Sequence, residues 1–335
     1  MSDAPPAAPA ARRLLPTAAA RGAAVAFVAA CFLAVAAAPL AVYALAIAVF
    51  GLAHVGAELR FVDRSFAGLL PKPFVLGVAA CVAVAAAARL CGQTGALTPT
   101  GAVTLELAAG AAMALVAAAA MRRRRAVAVL TLAGVVAGTV VAPWETFLAF
   151  AIAHNLTPLA FVADAAPPRD RALWVGLLLI PFVILPLLIA TGWPGDLLAR
   201  TGLFAPEAAP LAVGPLDANL PAWVPMSLLD SDHAIPLFSA CVFAQTMHYA
   251  AVIHLLPRLV GEAPRATLAP WPPRRLFLLG LATAAAALAL VFAMDYALAR
   301  RIYALAALVH AWIEIPILLL ALDRRDLSEG LKGRA

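Results

Sequence analysis

Charge is scarce in this chain. Only 13% of its 335 residues are Asp, Glu, Lys or Arg, about half the usual ~25%. Aromatic residues make up 7%, with four tyrosines in all. The four cysteines, Cys31, Cys81, Cys91 and Cys241, have no C-x-x-C spacing and lie in or beside apolar runs. They read as small core residues, which removes a disulfide scaffold and a thiolate metal site. So little polar material also excludes a disordered hub, a collagen-like chain and a soluble enzyme, because a folded surface needs polar cover. What fills the chain instead is apolar: 64% of residues, against about 45–50% ordinarily. The composition is that of a polytopic membrane protein.

Apolar stretches bounded by charge or Pro/Gly clusters predict about ten spans. They run over 22–37, 39–62, 74–90, 103–121, 126–142, 144–163, 172–190, 235–256, 276–294 and 302–322. The expected fold is all-α, a polytopic integral membrane helical bundle. A cytoplasmic tail (1–21) precedes a single transmembrane domain (22–322), and a cytoplasmic tail (323–335) follows it. The first apolar run is read as an uncleaved span rather than a signal peptide, since small residues are too common here to mark a cleavage site. A proline-rich segment, 193–233, is expected outside as a lid or re-entrant cap. Alternating the ten spans from a cytoplasmic N-terminus puts twenty of the 24 Lys and Arg inside. Only Arg89, Arg200, Arg300 and Arg301 then fall outside, so the positive-inside rule predicts both termini cytoplasmic. The net charge of +6 is accounted for by these loop-end cations. No basic patch interleaved with aromatics points to nucleic acid. The expected location is a bacterial-type inner (plasma) membrane, with lipids as neighbours.

Four of the six histidines fall well inside spans: His54, His154, His248 and His310, on the second, sixth, eighth and tenth. Counted from the expected outer ends they come about 15, 10, 13 and 8 residues in, so at ~1.5 Å per residue they share a depth within ~10 Å. Glu58 follows His54 by four residues, Glu314 follows His310 by four, and Gln245 precedes His248 by three. Each of these pairs shares a helix face. A carboxylate at membrane depth becomes tolerable when it binds a metal or orients a ligating imidazole. An N/O set without thiolate suits iron, with manganese, zinc or copper as alternatives. Haem b ligation or electron transfer, and a proton-coupled carrier using the same His and Glu residues, remain open readings. His254 is read as interfacial, His233 as a neighbour of a helix cap supplied by Asp232, and Glu145 as a first-turn acid. Glu106 has no assignment, and Arg122–Arg125 is a topological anchor.

The segments FGLAHVGAELRFV, FAIAHNLTPLAFV, CVFAQTMHYAAVIHLL and LAALVHAWIEIPILLL resemble, in order, the four histidine segments of the Brp/Blh family of membrane β-carotene dioxygenases. His54 stands at the histidine of the first motif and Glu58 at its acid. His154, His248 and His310 match the later histidines, and Glu314 the last acid. The chain departs from the family at Ala53, Leu159 and Val252, where a proline, an acid and a further histidine are expected. The resemblance implies a helical membrane protein in which histidine-bound non-haem iron (Fe2+) and O2 act on a lipophilic, carotenoid- or isoprenoid-like substrate. His54, His154, His248 and His310 would then be metal ligands. Glu58 and Glu314 would be a fifth ligand or orienting acceptors, and Gln245 and Tyr249 would shape the oxygen pocket.

Overall fold

The computed structural model describes residues 18–166, 168–260 and 267–332. Among them there is no strand, and nine helices are long and apolar enough to cross a membrane. In chain order the membrane-type helices are α1 (Ala18–Ala37), α2 (Pro39–Phe66), α3 (Lys72–Gln93) and α4 (Pro99–Ala120). Next come α5 (Arg125–Val141), α6 (Pro143–Ala165) and α7 (Arg169–Ala190). The last three are α8 (Ala234–Arg258), α9 (Arg274–Met294) and α10 (Tyr296–Lys332). Of these α5 is the short one: its 17 residues rise ~25 Å, at the lower limit for a crossing. Each of the ten expected spans thus has a helix. The segment expected as a C-terminal tail continues α10 as far as Lys332, while residues 1–17 of the N-terminal tail lie outside the described residues.

The exposure pattern is inverted relative to a soluble protein. Val141 is 83% exposed while Glu58 and His248 are fully buried. Large apolar side chains therefore face lipid, and the polar ones face the bundle interior.

Two apolar cores lie at opposite ends of the bundle. One gathers Leu40 and Tyr43 of α2, Phe238 and Phe243 of α8, and Phe292 of α9 under the 193–233 segment. That segment is well folded: a helix (Trp193–Arg200) and three short turns bury Leu216, Leu220, Trp223 and Val224 against this core. The other core joins Phe61 and Phe66, Met121, Phe161, Leu256 and Ile317 near the Arg122–Arg125 loop. That loop is fastened by Asp323, which accepts the backbone N–H groups of Arg122, Arg123 and Arg124. On α2 and α8 the chain passes from the first core to the second, with His54 and His248 between them; beside His154 of α6 and His310 of α10, Phe150, Leu308 and Trp312 pack into a third core with Leu107 and Met113.

Three of those four helices are irregular beside their histidine. α2 carries a π turn at Ala46–Phe50, just before His54. α8 carries one at Ala251–Leu255, just after His248; there Pro257 withholds the N–H that the Ile253 carbonyl would otherwise take. α6 breaks directly after His154. Pro158 cannot donate to the His154 carbonyl, which accepts the Thr157 hydroxyl instead at 2.8 Å. Such π turns concentrate at functional sites; the local sequence of the first offers no explanation for it.

Candidate metal centre

The four imidazoles converge. Each of His54, His154, His248 and His310 offers a ring nitrogen within 4.8 Å of those of the other three. His310 Nε2 lies 3.1 Å from His54 Nε2 and 3.1 Å from His154 Nε2. With metal–nitrogen bonds of ~2.1 Å, two ligating nitrogens sit ~3.0 Å apart at a right angle and ~3.4 Å apart at the tetrahedral angle. These two distances fall in this window.

Hydrogen bonding alone does not satisfy the cluster. His54 Nδ1 donates to the Phe50 carbonyl at 3.4 Å, and His154 Nδ1 donates to Glu314 Oε2 at 2.9 Å. The Phe50 carbonyl only accepts, and so does Glu314 as a carboxylate; in the neutral rings both Nε2 atoms are then bare, and both point at His310 Nε2. One proton on His310 cannot serve two bare nitrogens. His248 Nε2 lies 3.2 Å from Glu58 Oε2, close but not aligned as a hydrogen bond, and His310 Nε2 lies 3.8 Å from the same oxygen. With Glu58 and Glu314 ionised, lone pairs outnumber protons here, and a cation resolves the excess. The donor set therefore fits a metal ion; nitrogen and carboxylate donors without sulfur suit iron, manganese or zinc.

The carboxylates cross over. Although Glu58 shares a helix face with His54, it serves His248 and His310; Glu314 serves His154 rather than His310. Glu58, His154 and Glu314 form a second, overlapping set able to hold a cation. The supporting hydrogen bonds on His54 and His154 fix ring orientation as they do around bound metals.

Tyr249 stacks on the His54 ring, centroids 3.9 Å apart at 20°. Its hydroxyl accepts from Gln245 at 2.7 Å and shares a 2.5 Å hydrogen bond with Tyr303. Tyr303, seven residues before His310 on the same helix face, has no place in the sequence reading, though that spacing points it at the centre. Gly51 makes room for it, since a side chain there would meet the Tyr303 ring at 2.9 Å. A second unforeseen group is a half-buried ion pair. Arg89 donates to Glu106 through Nε (2.9 Å) and Nη2 (2.6 Å), and the Trp312 indole donates to the same carboxylate at 2.9 Å.

A cavity of about 810 Å³ runs along α10 beside the centre. His54, His154, His310, Gln245 and Tyr249 line it, with Trp223 of the loop segment toward one end and Leu322 toward the other. Its size is in the range of small-molecule sites.

The remaining expectations divide. Glu145 is a first-turn acid on α6, and His254 is exposed. The cap expected from Asp232 is absent: His233 itself occupies the N-cap position of α8, and no side chain caps it. The first free N–H groups are met by the backbone instead, where the preceding turn returns the Ala234 N–H to Ser231. All four cysteines are unpaired.

No protein-family model, curated protein or solved structure matches the chain in comparisons with known proteins.

Proposed function

We propose that this multi-pass membrane protein is a non-haem iron oxygenase-like enzyme acting on a lipophilic, carotenoid- or isoprenoid-like substrate. The observation that carries the reading is the shared focus of four imidazole nitrogens from four helices, three of whose rings line an internal cavity. Iron(II) would be held by His54, His154, His248 and His310, and would supply the one-electron chemistry that O2 requires. Glu314 holds the His154 ring by its Nδ1 proton, and the Phe50 carbonyl does the same for His54. Glu58, facing His248 and His310, balances charge or serves as a fifth ligand. Gln245 and Tyr249 border the space beside His54 and can present a hydroxyl to a reacting oxygen. The apolar cavity excludes water and takes up a substrate that needs burial more than hydrogen bonds. The resemblance to the Brp/Blh family supports the substrate class, and the 20-to-4 division of cations supports cytoplasmic termini in a bacterial plasma membrane.

Haem b fits less well. Haem iron takes one or two protein side chains, whereas four imidazoles crowd together in this bundle. Here His310 Nε2 touches two other ring nitrogens at 3.1 Å. The deciding experiment is elemental analysis with an absorption spectrum on protein purified from iron-supplied cells, beside a His154→Ala variant. Stoichiometric iron without a Soret band, lost in the variant, is the expected result. Equal metal in both proteins, or none in either, overturns the reading.

A further inference from the structure

The cavity is lopsided in charge. Arg300 lines it one turn into α10, at the end covered by Trp223. Among the described residues Arg300 has no hydrogen bond and no ion pair; its guanidinium lies only over the Tyr43 ring, 5.9 Å from the centroid. The other arginine on the wall, Arg89, is fully engaged by Glu106. The other acid on the wall, Glu145, is exposed to the surroundings. A half-buried cation without a counterion is costly in an apolar setting, and an arginine fork matches a carboxylate or phosphate.

From Arg300 the lining follows one face of α10: Tyr303, Ala304, Ala307, His310 and Ala311. The alanines leave room for a chain beside the helix, and the lining beyond His310 is apolar, with Leu318, Leu319 and Leu322. Ten residues separate Arg300 from His310, a rise of ~15 Å. A short acid cannot reach from one to the other.

We infer that the cavity takes a long-chain amphiphile with an anionic headgroup at Arg300 and its apolar chain laid along α10 past His310. This rests on the proposed function for the chamber and narrows its substrate from a plain hydrocarbon to an anionic lipid. A free carboxylate and a phosphate headgroup present the same chemistry to Arg300.

The test is binding to the purified full chain in uncharged detergent, at alkaline pH so that a fatty acid is ionised. Oleate, oleyl alcohol and lysophosphatidate are titrated against quenching of the tryptophans, of which Trp144, Trp223 and Trp312 line the cavity. Oleate is expected to bind at least ~10-fold tighter than oleyl alcohol, the margin of a charge-assisted hydrogen bond. Arg300→Gln should abolish that margin and Arg300→Lys should keep it. Arg301→Gln, which removes an exposed neighbouring charge outside the cavity lining, should also keep it. Tighter binding of lysophosphatidate than of oleate assigns the headgroup to phosphate, and the reverse to carboxylate; both support the proposal. Equal binding of acid and alcohol by the unmodified chain, or a margin that survives Arg300→Gln, overturns it. Repeating the titration on metal-stripped protein separates the two readings. A headgroup preference in a protein that never binds metal sinks the oxygenase alone, and a metal-loaded protein indifferent to the headgroup sinks this inference alone.

Discussion

Glu106 and Glu58 are both buried carboxylates in an apolar bundle, and their surroundings are opposite in kind. Glu106 accepts twice from Arg89 and once from Trp312. Asp63 follows the same pattern with the N–H groups of Leu268 and Ala269 and the Trp271 indole. These acids have their donors, and they tie helices and loops together. Glu58 faces two imidazoles and the Glu314 carboxyl, and no N–H donor is aligned on it. The bundle that satisfies Glu106 and Asp63 in this way leaves the cluster around Glu58 short of positive charge. The difference separates a clamp from a ligand site.

The contrast can be broken at several points. The largest effect is expected at the histidines: His310→Ala should lower metal affinity by more than ~100-fold, and Glu314→Ala, which frees the His154 ring, by ~10–100-fold. Both are read by metal titration of stripped protein. Glu106→Gln should leave metal content unchanged and cost about 3 kcal/mol of stability, because Arg89 loses its partner; thermal unfolding in detergent measures it. In metal-free protein Glu58→Gln should do the reverse, leaving stability unchanged or raising it, since it removes an uncompensated charge. A loss as large as that of Glu106→Gln would erase the distinction between the two sites. At Gly110 an added methyl would fall inside the Trp312 ring, so Gly110→Ala should cost ~1–3 kcal/mol by displacing that ring from Glu106. Smallest is Tyr303→Phe, which removes the Tyr249 hydrogen bond for ~1 kcal/mol with metal content intact.

Much of this was legible in the sequence because the membrane simplifies it. Apolar runs must be about as long as the bilayer is thick, so the helices could be counted from hydropathy alone. Polar residues inside such runs are costly enough to be conspicuous, which singled out His54, His154, His248 and His310. The partnerships among them were not legible. Spacing along a helix reports which side chains share a face, so it paired Glu58 with His54; only the tertiary packing brings Glu58 to His248 and Glu314 to His154. Arg89 and Glu106 sit on separate helices and read as a loop-end cation and an unassigned acid for the same reason. Asp232 looked like a helix cap because it is a good one in isolation; the helix simply starts a residue later.

The π turn at Ala46–Phe50 sets the azimuth of everything after it on α2. A π turn carries one residue more than a regular helical turn, and each residue is worth about 100° of rotation. Winding the same residues as regular α-helix would swing His54 and Glu58 together by about 100°, off the centre, and deleting one residue as well would bring them back. The surplus residue thus works as a tuning peg, and the register of the whole centre is strung on it.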